Sequence, residues 1–383
     1  MTDAPDIILP VVRAIHATTP RLVLEFAGAG AQALAWLHAV GGSSRTVLEA
    51  TDRYAAASLI EAVGFTPKRF TSKRVARALA AHARARARQL TGGGEVIFGV
   101  GVTATIATDR RKRGRHRCTL AVRDGFGTSG LNLVLHKGAS SRRQEEALVS
   151  HLIIAAIAAA SGVLGVPPAP LLPGEKLEQE LLPTPTLARF ASGEIPWLLL
   201  RPSGRPAAAP PLPQPLIYSG SFNPLHEGHL ELAHAAAKLT GRQVIFELPL
   251  LNADKAAIPL LEARRRAAQF LGRAPLLLTR EPLFTGKARL FPGATFVMGV
   301  DTAERLIDPR YYGNDPRRLE AALAGLRAAD ARFLVAGRQW QGSYRTLRDL
   351  AVPRDFTSLF EELPEEAFRR DISSGEIRRS WGS

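Results

Sequence analysis

The chain has 383 residues, 46% of them hydrophobic and 22% charged, the composition of an ordinary soluble globular protein. At about 100–200 residues per domain, this length points to two domains. The single cysteine, Cys118, excludes a disulfide framework and argues against a cysteine-based zinc site. No run reaches the ~20 apolar residues of a membrane span, and the start, Met-Thr-Asp-Ala-Pro-Asp, is acidic where a signal peptide is basic. A cytoplasmic protein without a membrane partner is expected. The formal net charge is +15, and residues 1–165 hold most of it, with 22 Lys and Arg against 11 Asp and Glu. A basic first half permits nucleic-acid binding without requiring it.

In chain order, Arg21-Leu-Val-Leu-Glu25 predicts a strand and Ala31 to Val40 a helix. Val96 to Val100 predicts a second strand, followed by the basic run Arg110 to Arg117 and a strand over Cys118 to Arg123. Glu145 to Ala160 predicts a helix, and the alanine-rich stretch Leu152 to Val166 reads as buried helix. Such alternation implies an α/β layer fold. The arginine run lacks interleaved aromatic platforms, which favours a solvated hairpin loop over a nucleic-acid surface. Arg84, Arg86 and Arg88 are spaced to spread around a helix rather than to form one stripe.

Pro167 to Pro215 is so rich in proline that no continuous helix or central strand is expected through it. Its inner piece, Leu187 to Leu200 with Trp197, is apolar enough to dock onto a domain. The expected organisation is a domain over 1–165, a proline-rich linker with a docked segment over 166–214, and a second domain over 215–383.

Past the linker the pattern becomes a βα series. Strands are predicted at Leu216-Ile-Tyr, Gln243 to Leu248, Leu276-Leu-Leu, Thr295 to Met298 and Arg332 to Ala336. Helices are predicted at Leu230 to Leu239, at Glu262 to Leu271 with Gly272 ending it, and from about Thr302. The series implies a mostly parallel sheet whose ligands bind outside the carboxyl ends of the strands.

Directly after the first of these strands stands Gly220-Ser221-Phe222-Asn223-Pro-Leu-His226-Glu-Gly228-His229. Gly220 and Ser221 leave room for a phosphate to approach the backbone. The chain then enters a helix, whose N–H groups and dipole attract anions. Three residues apart, His226 and His229 share a face of its first turn, and Gly228 removes a side chain between them. Two imidazoles at a helix N-terminus suit a polyphosphate that gathers charge in its transition state. Near the end, Ile372-Ser373-Ser374-Gly375-Glu376-Ile377-Arg378 reads as a helix start with free hydroxyls, and Arg378 is able to clamp a phosphate.

These two segments resemble the nucleotidylyltransferase superfamily. Its Gly-x-Phe-x-Pro-x-His-x-Gly-His motif is matched at every fixed position, and its Ile-Ser-Ser-Thr-x-x-Arg motif is matched except for Gly375. The resemblance covers about residues 215–383 and implies a Rossmann-like parallel sheet of the HUP type. It makes His226, His229 and Arg378 catalytic, with Gly220, Ser221, Phe222, Asn223, Gly228, Gly299, Asp301, Ser373 and Ser374 around ATP. Gly299-Val-Asp301 to Tyr312 and Leu248 to Lys255 look like segments of nicotinamide mononucleotide adenylyltransferases. There Asn252, Lys255 and Tyr312 would line the mononucleotide pocket, with Thr285 and Lys287 as candidates by position. The reaction implied is in-line attack of a mononucleotide 5′-phosphate on the α-phosphate of ATP, releasing pyrophosphate. Mg²⁺ would bridge the triphosphate, held largely by substrate and water, and no metal-binding residue of the chain is nominated. A cytidylyltransferase, a phosphopantetheine-type adenylyltransferase, and a non-catalytic module sensing nucleotides or binding nucleic acid are the alternatives. A homo-oligomer remains open.

Residues 20–160 resemble the CinA C-terminal domain, whose active members deamidate nicotinamide mononucleotide. The strand, glycine-rich turn and helix at Glu25 to Trp36 carry that resemblance, with Gly41 to Glu49, Tyr54 and Gly99 to Thr105. Where that family places its serine after the glutamate, this chain has Phe26, and the lysine five residues past the tyrosine is Leu59. Phenyl and isobutyl groups cannot attack an amide, so this half is expected to be catalytically degenerate.

Overall fold

The computed structural model describes residues 4–109, 113–252, 256–340 and 343–369. Two compact units are drawn from the chain: Met1–Ala188, Arg201–Pro206 and Leu260–Arg273 in the first, the remainder in the second. Among the described residues no helix is long and apolar enough to cross a membrane.

The first unit is built on one six-stranded sheet. Its strands are β1 (Arg21–Ala27), β2 (Val47–Asp52), β3 (Ile97–Thr105), β4 (Arg117–Arg123), β5 (Gly127–Val134) and β6 (Lys176–Pro183), in the order β2-β1-β3-β4-β5-β6. β1 runs parallel to β2 and β3, and the other pairs are antiparallel. β1 is buried on both faces, as a covered strand is. Leu22, Leu24 and Phe26 join a core with Leu37, Leu152 and Ile153, while Val23 turns the other way onto Ala83 and Ala87 of the helix Lys73–Thr91.

That helix lies on β3 at backbone distance. A Cβ added at Gly99 would stand 2.2 Å from the Arg84 nitrogen, and one at Gly101 would stand 2.4 Å from the Ala76 oxygen. The helix Arg142–Ser161 begins with a Ser141/Gln144 capping box and stops at Gly162, which has φ of 78°. The buried helix expected to continue to Val166 therefore ends five residues earlier, because the left-handed cap turns the chain away.

Part of the proline-rich stretch is sheet rather than connection. β6 pairs with β5 along its length, and β7 (Trp197–Leu200) and β8 (Pro206–Ala208) join the second sheet. Pro183 and Pro206 sit at strand ends, where no ladder N–H is required of them. Docking of the apolar inner piece takes the form of β7, which pairs antiparallel with β11 (Leu276–Thr279).

The other strands of the second sheet are β9 (Leu216–Ser219), β10 (Val244–Pro249), β12 (Thr295–Gly299), β13 (Arg332–Ala336) and β16 (Phe360–Leu363). A hairpin of β14 (Arg338–Trp340) and β15 (Ser343–Arg345) stands apart. The sheet order is β16-β13-β12-β9-β10-β11-β7-β8, parallel from β16 through β11. The chain enters at β9, moves outward through β10 and β11, then returns to the opposite side of β9 for β12. That reversal is a topological switch point, the place where ligands meet an open parallel sheet. The expected helix at Glu262 to Leu271 is the helix Leu260–Ala267 plus a 3₁₀ turn, Ala268–Phe270, and it belongs to the first unit.

Since the atoms facing Gly101 are the backbone of Ala76 and Ala80 and the Cβ of Leu79, none of which can swing aside, Gly101→Ala is expected to cost up to about 3 kcal/mol. A lower urea midpoint at unchanged m-value would register it.

Candidate functional site

The paired histidines stand where the sheet reverses. β9 ends at Ser219, and the chain passes through a turn to His226, the extended N-cap of the helix Glu227–Thr240. The turn closes around Phe222, which is fully buried with φ of 43°, in the left-handed region that costs a non-glycine residue about 1–3 kcal/mol. Its ring lies over Gly220, where a Cβ would stand 2.6 Å from two ring carbons. The side of Gly220 on which a Cβ would stand is thus covered by the motif's own phenylalanine.

Phe222, Tyr218 and Phe246 form an aromatic floor beneath His229, with ring centroids of Phe222 and His229 5.1 Å apart. The His226 and His229 rings stack at 3.7 Å. The backbone N–H of His226 donates to His229 Nδ1 at 3.2 Å, so the neutral His229 ring carries its proton on Nε2. Burial, and after it the neighbouring His226, pushes the His229 pKa down to about 3. Burial also lowers His226, against the opposing charge of Glu227. Both imidazoles are neutral at pH 7 while no anion is bound, and His229 presents one N–H donor beside the helix N-terminus.

Next to this turn lies a cavity of about 300 Å³. Ser219, Gly220 and Ser221 line it from the first strand end, Asn252 from beyond β10, and Tyr311 and Tyr312 from the turn Pro309–Tyr312. The Tyr312 hydroxyl donates to the Leu306 carbonyl at 2.8 Å, and burial raises its pKa. Lys287 also lines the cavity, but its Nζ lies 2.7 Å from Glu247, in a pair almost wholly buried. Ser219 and Thr279 donate hydroxyls to the same carboxylate.

Of the residues nominated from sequence, Gly220, Ser221, Asn252, Lys287 and Tyr312 are brought together around this cavity. His226, His229, Phe222, Asn223 and Gly228 are on or under the adjoining turn and helix. Gly299 ends β12, the strand beside β9, and Asp301 on the following helix is ion-paired with Arg338. Thr285 is on the helix Phe284–Leu290 but does not line the cavity. Lys255, Ser373, Ser374 and Arg378 lie outside the described residues. Sequence reasoning missed Glu247, although an acid inside the apolar run Val244-Ile-Phe-Glu-Leu-Pro was a visible sign of a buried partner. Arg305 and Tyr311, also lining the cavity, carried no such sign.

In the first unit, Phe26 is 4% exposed and Leu59 2%, both in apolar clusters. Glu25 is fully buried and held by Arg53 and His82. Tyr54 points to solvent at 72% exposure. At the edge of the arginine run, His116 is buried against Glu145 while Arg113 and Arg115 are exposed; residues 110–112 lie outside the described residues.

The depressed His229 pKa sets a pH dependence. Between about pH 6.5 and 3 the unfolded chain takes up a proton that the folded ring refuses, so stability falls as pH drops through this window. In His229→Gln this contribution is absent, and a flatter plot of urea midpoint against pH is the expected outcome.

Comparison with known proteins gives the following. Residues 217–271 match the family described as "Cytidylyltransferase-like". A "Probable nicotinate-nucleotide adenylyltransferase" of Sodalis glossinidius (strain morsitans) is 33% identical over 99 residues, 26% of this chain and 44% of that protein. The chain thus spans under half the length of this curated relative. Among solved structures, the competence/damage inducible protein CihA of Agrobacterium tumefaciens is 17% identical, covering 40% of this chain and 94% of that one, with a TM-score of 0.33. A competence-damaged protein (CinA) superfamily protein of Enterobacter cloacae is 12% identical, covering 40% and 89%, with a TM-score of 0.32. The strand, turn and paired histidines at the switch point therefore sit in a cytidylyltransferase-like segment of this α/β chain.

Proposed function

We propose that the second unit is a nucleotidylyltransferase that moves AMP from ATP to the 5′-phosphate of nicotinate or nicotinamide mononucleotide. One observation carries this reading above the others: two neutral, stacked imidazoles at a helix N-terminus, placed at the switch point of a parallel sheet. The adenylyltransferase relative supports the acceptor class.

In the proposed step an oxygen of the mononucleotide phosphate bonds to the α-phosphorus of ATP while the bond to the bridging oxygen breaks, and pyrophosphate departs with both electrons. The chain supplies position and charge rather than a nucleophile. His229 Nε2–H and the first N–H groups of the helix face the phosphates, and Arg378 takes the remaining negative charge. An arriving polyphosphate favours the protonated form of the imidazoles, whose charged N–H groups are the stronger donors. Asn252 and Tyr312 hold the mononucleotide in the cavity, while Lys287, tied to Glu247, shapes its floor. In this proposal Mg²⁺ would arrive with ATP, held largely by the triphosphate and water. On the same proposal the protein acts in the cytoplasm. The first unit, with Phe26 and Leu59 packed into apolar clusters, is assigned no amidase chemistry.

The family description favours one second reading, with CTP as the nucleotide donor. Pyrophosphate release from ATP and from CTP, each with several phosphorylated acceptors, separates the two. His229→Ala is expected to abolish turnover, a loss of at least about 10²–10³-fold, with the far-UV circular dichroism unchanged. Tyr312→Ala is expected to raise KM for the mononucleotide more than it lowers kcat. Undiminished pyrophosphate release by His229→Ala would refute the assignment.

A further inference from the structure

The first unit holds a separate set of cations that the proposed reaction does not use. A small cavity of about 40 Å³ is bounded by Arg84 and Arg88 of the helix Lys73–Thr91, by Arg205, and by Arg264, with Asp124 and Glu95 as its acids. Both acids are already committed. Asp124 is ion-paired with Arg264 and accepts N–H groups from Phe126 and Gly127, and Glu95 is paired with Arg21 at 2.9 Å. Arg205 spends one N–H on the Gly93 carbonyl. The neighbouring Arg123 is bonded to the Thr128 hydroxyl, which leaves its charge in place.

Arg84, Arg88 and Arg205 are therefore three guanidiniums without a carboxylate among the described residues. Arg84 Nε is buried with no hydrogen-bond partner there. Burial first, then the facing Arg88, Arg123 and Arg205, pushes the Arg84 pKa below its ordinary value, with Asp124 opposing. An arginine does not shed its proton to relieve such crowding. Arg88 and Arg205 are exposed and Arg84 is half-buried, so the cluster is open to an arriving anion, which would offset the repulsion.

We propose that this cavity binds one phosphoryl dianion, either inorganic phosphate or the end of a phosphomonoester. The space fits: a single water needs about 10–15 Å³ by the same measure, so 40 Å³ takes a group of a few heavy atoms and excludes a base or a sugar. The chemistry fits as well, because planar guanidiniums pair with phosphate oxygens through two parallel hydrogen bonds.

Calorimetric titration of the full chain with inorganic phosphate, at constant ionic strength, tests the proposal. Saturable binding below about 10 mM is expected, with affinity for this event lowered at least about tenfold in Arg84→Met and in Arg88→Met. Arg86→Met is the control, since Arg86 sits on the same helix but is paired with Glu49 at 2.8 Å; its binding should match the parent chain. Glycerol phosphate distinguishes the source: competition by it identifies a phosphomonoester end, and its exclusion identifies the free ion. Without phosphate, Arg84→Met should melt at the same temperature as the parent or higher, because like-charge repulsion has been removed. A phosphate affinity untouched by the Arg84 and Arg88 substitutions, or lost equally in Arg86→Met, overturns the proposal. So does a lower melting temperature of Arg84→Met in phosphate-free buffer, which marks a merely structural arginine.

Discussion

The ring of Phe222 occupies the space that any side chain at position 220 would need. This one contact closes the turn after β9, and the rest of the candidate site follows from it. A closed turn delivers the chain to His226 as an extended N-cap, and the helical spacing then stacks His229 on His226. The same phenylalanine forms the floor that removes His229 from water and lowers its pKa. Local backbone strain at a non-glycine residue with positive φ is thus held in place by burial, and it aims two rings.

The site combines neutral and neutralised groups. Its histidines are uncharged in the absence of ligand, and the buried lysine of the cavity is matched by Glu247. A buried ion pair adds little net stability, because desolvation offsets the attraction. Here it keeps a polar floor in register: Ser219 from β9, Glu247 from β10 and Thr279 from β11 meet on one carboxylate. Three neighbouring parallel strands are thereby tied at their carboxyl ends, where a ligand would bear on them.

What could be read from the sequence was local, and what could not depended on distant partners. The histidine motif is contiguous and carries its own turn and helix signals, so its place at a strand end was legible. So were the apolar strands β9, β10, β12 and β13. β5, Gly127-Thr-Ser-Gly-Leu-Asn-Leu-Val, shows neither clean alternation nor an apolar run, and β6 alternates charge rather than hydrophobicity. Their pairing partner, not their composition, makes them strands. The helix Leu260–Ala267 was legible as a helix, but its membership of the first unit was not. That rests on pairs such as Arg264 with Asp124, which are 140 positions apart. Phe26 and Leu59 are apolar in the sequence, and the structure buries both.

The close seating of the helix Lys73–Thr91 on Gly99 and Gly101 reaches beyond stability. Arg84 is pinned through its own backbone nitrogen against β3, so the root of its side chain is immobilised before any counter-ion arrives. Ordering a long cationic side chain ordinarily consumes much of what a salt link returns. Close seating fixes the backbone from which the Arg84 side chain springs, so an anion bound there would have only side-chain torsions to freeze.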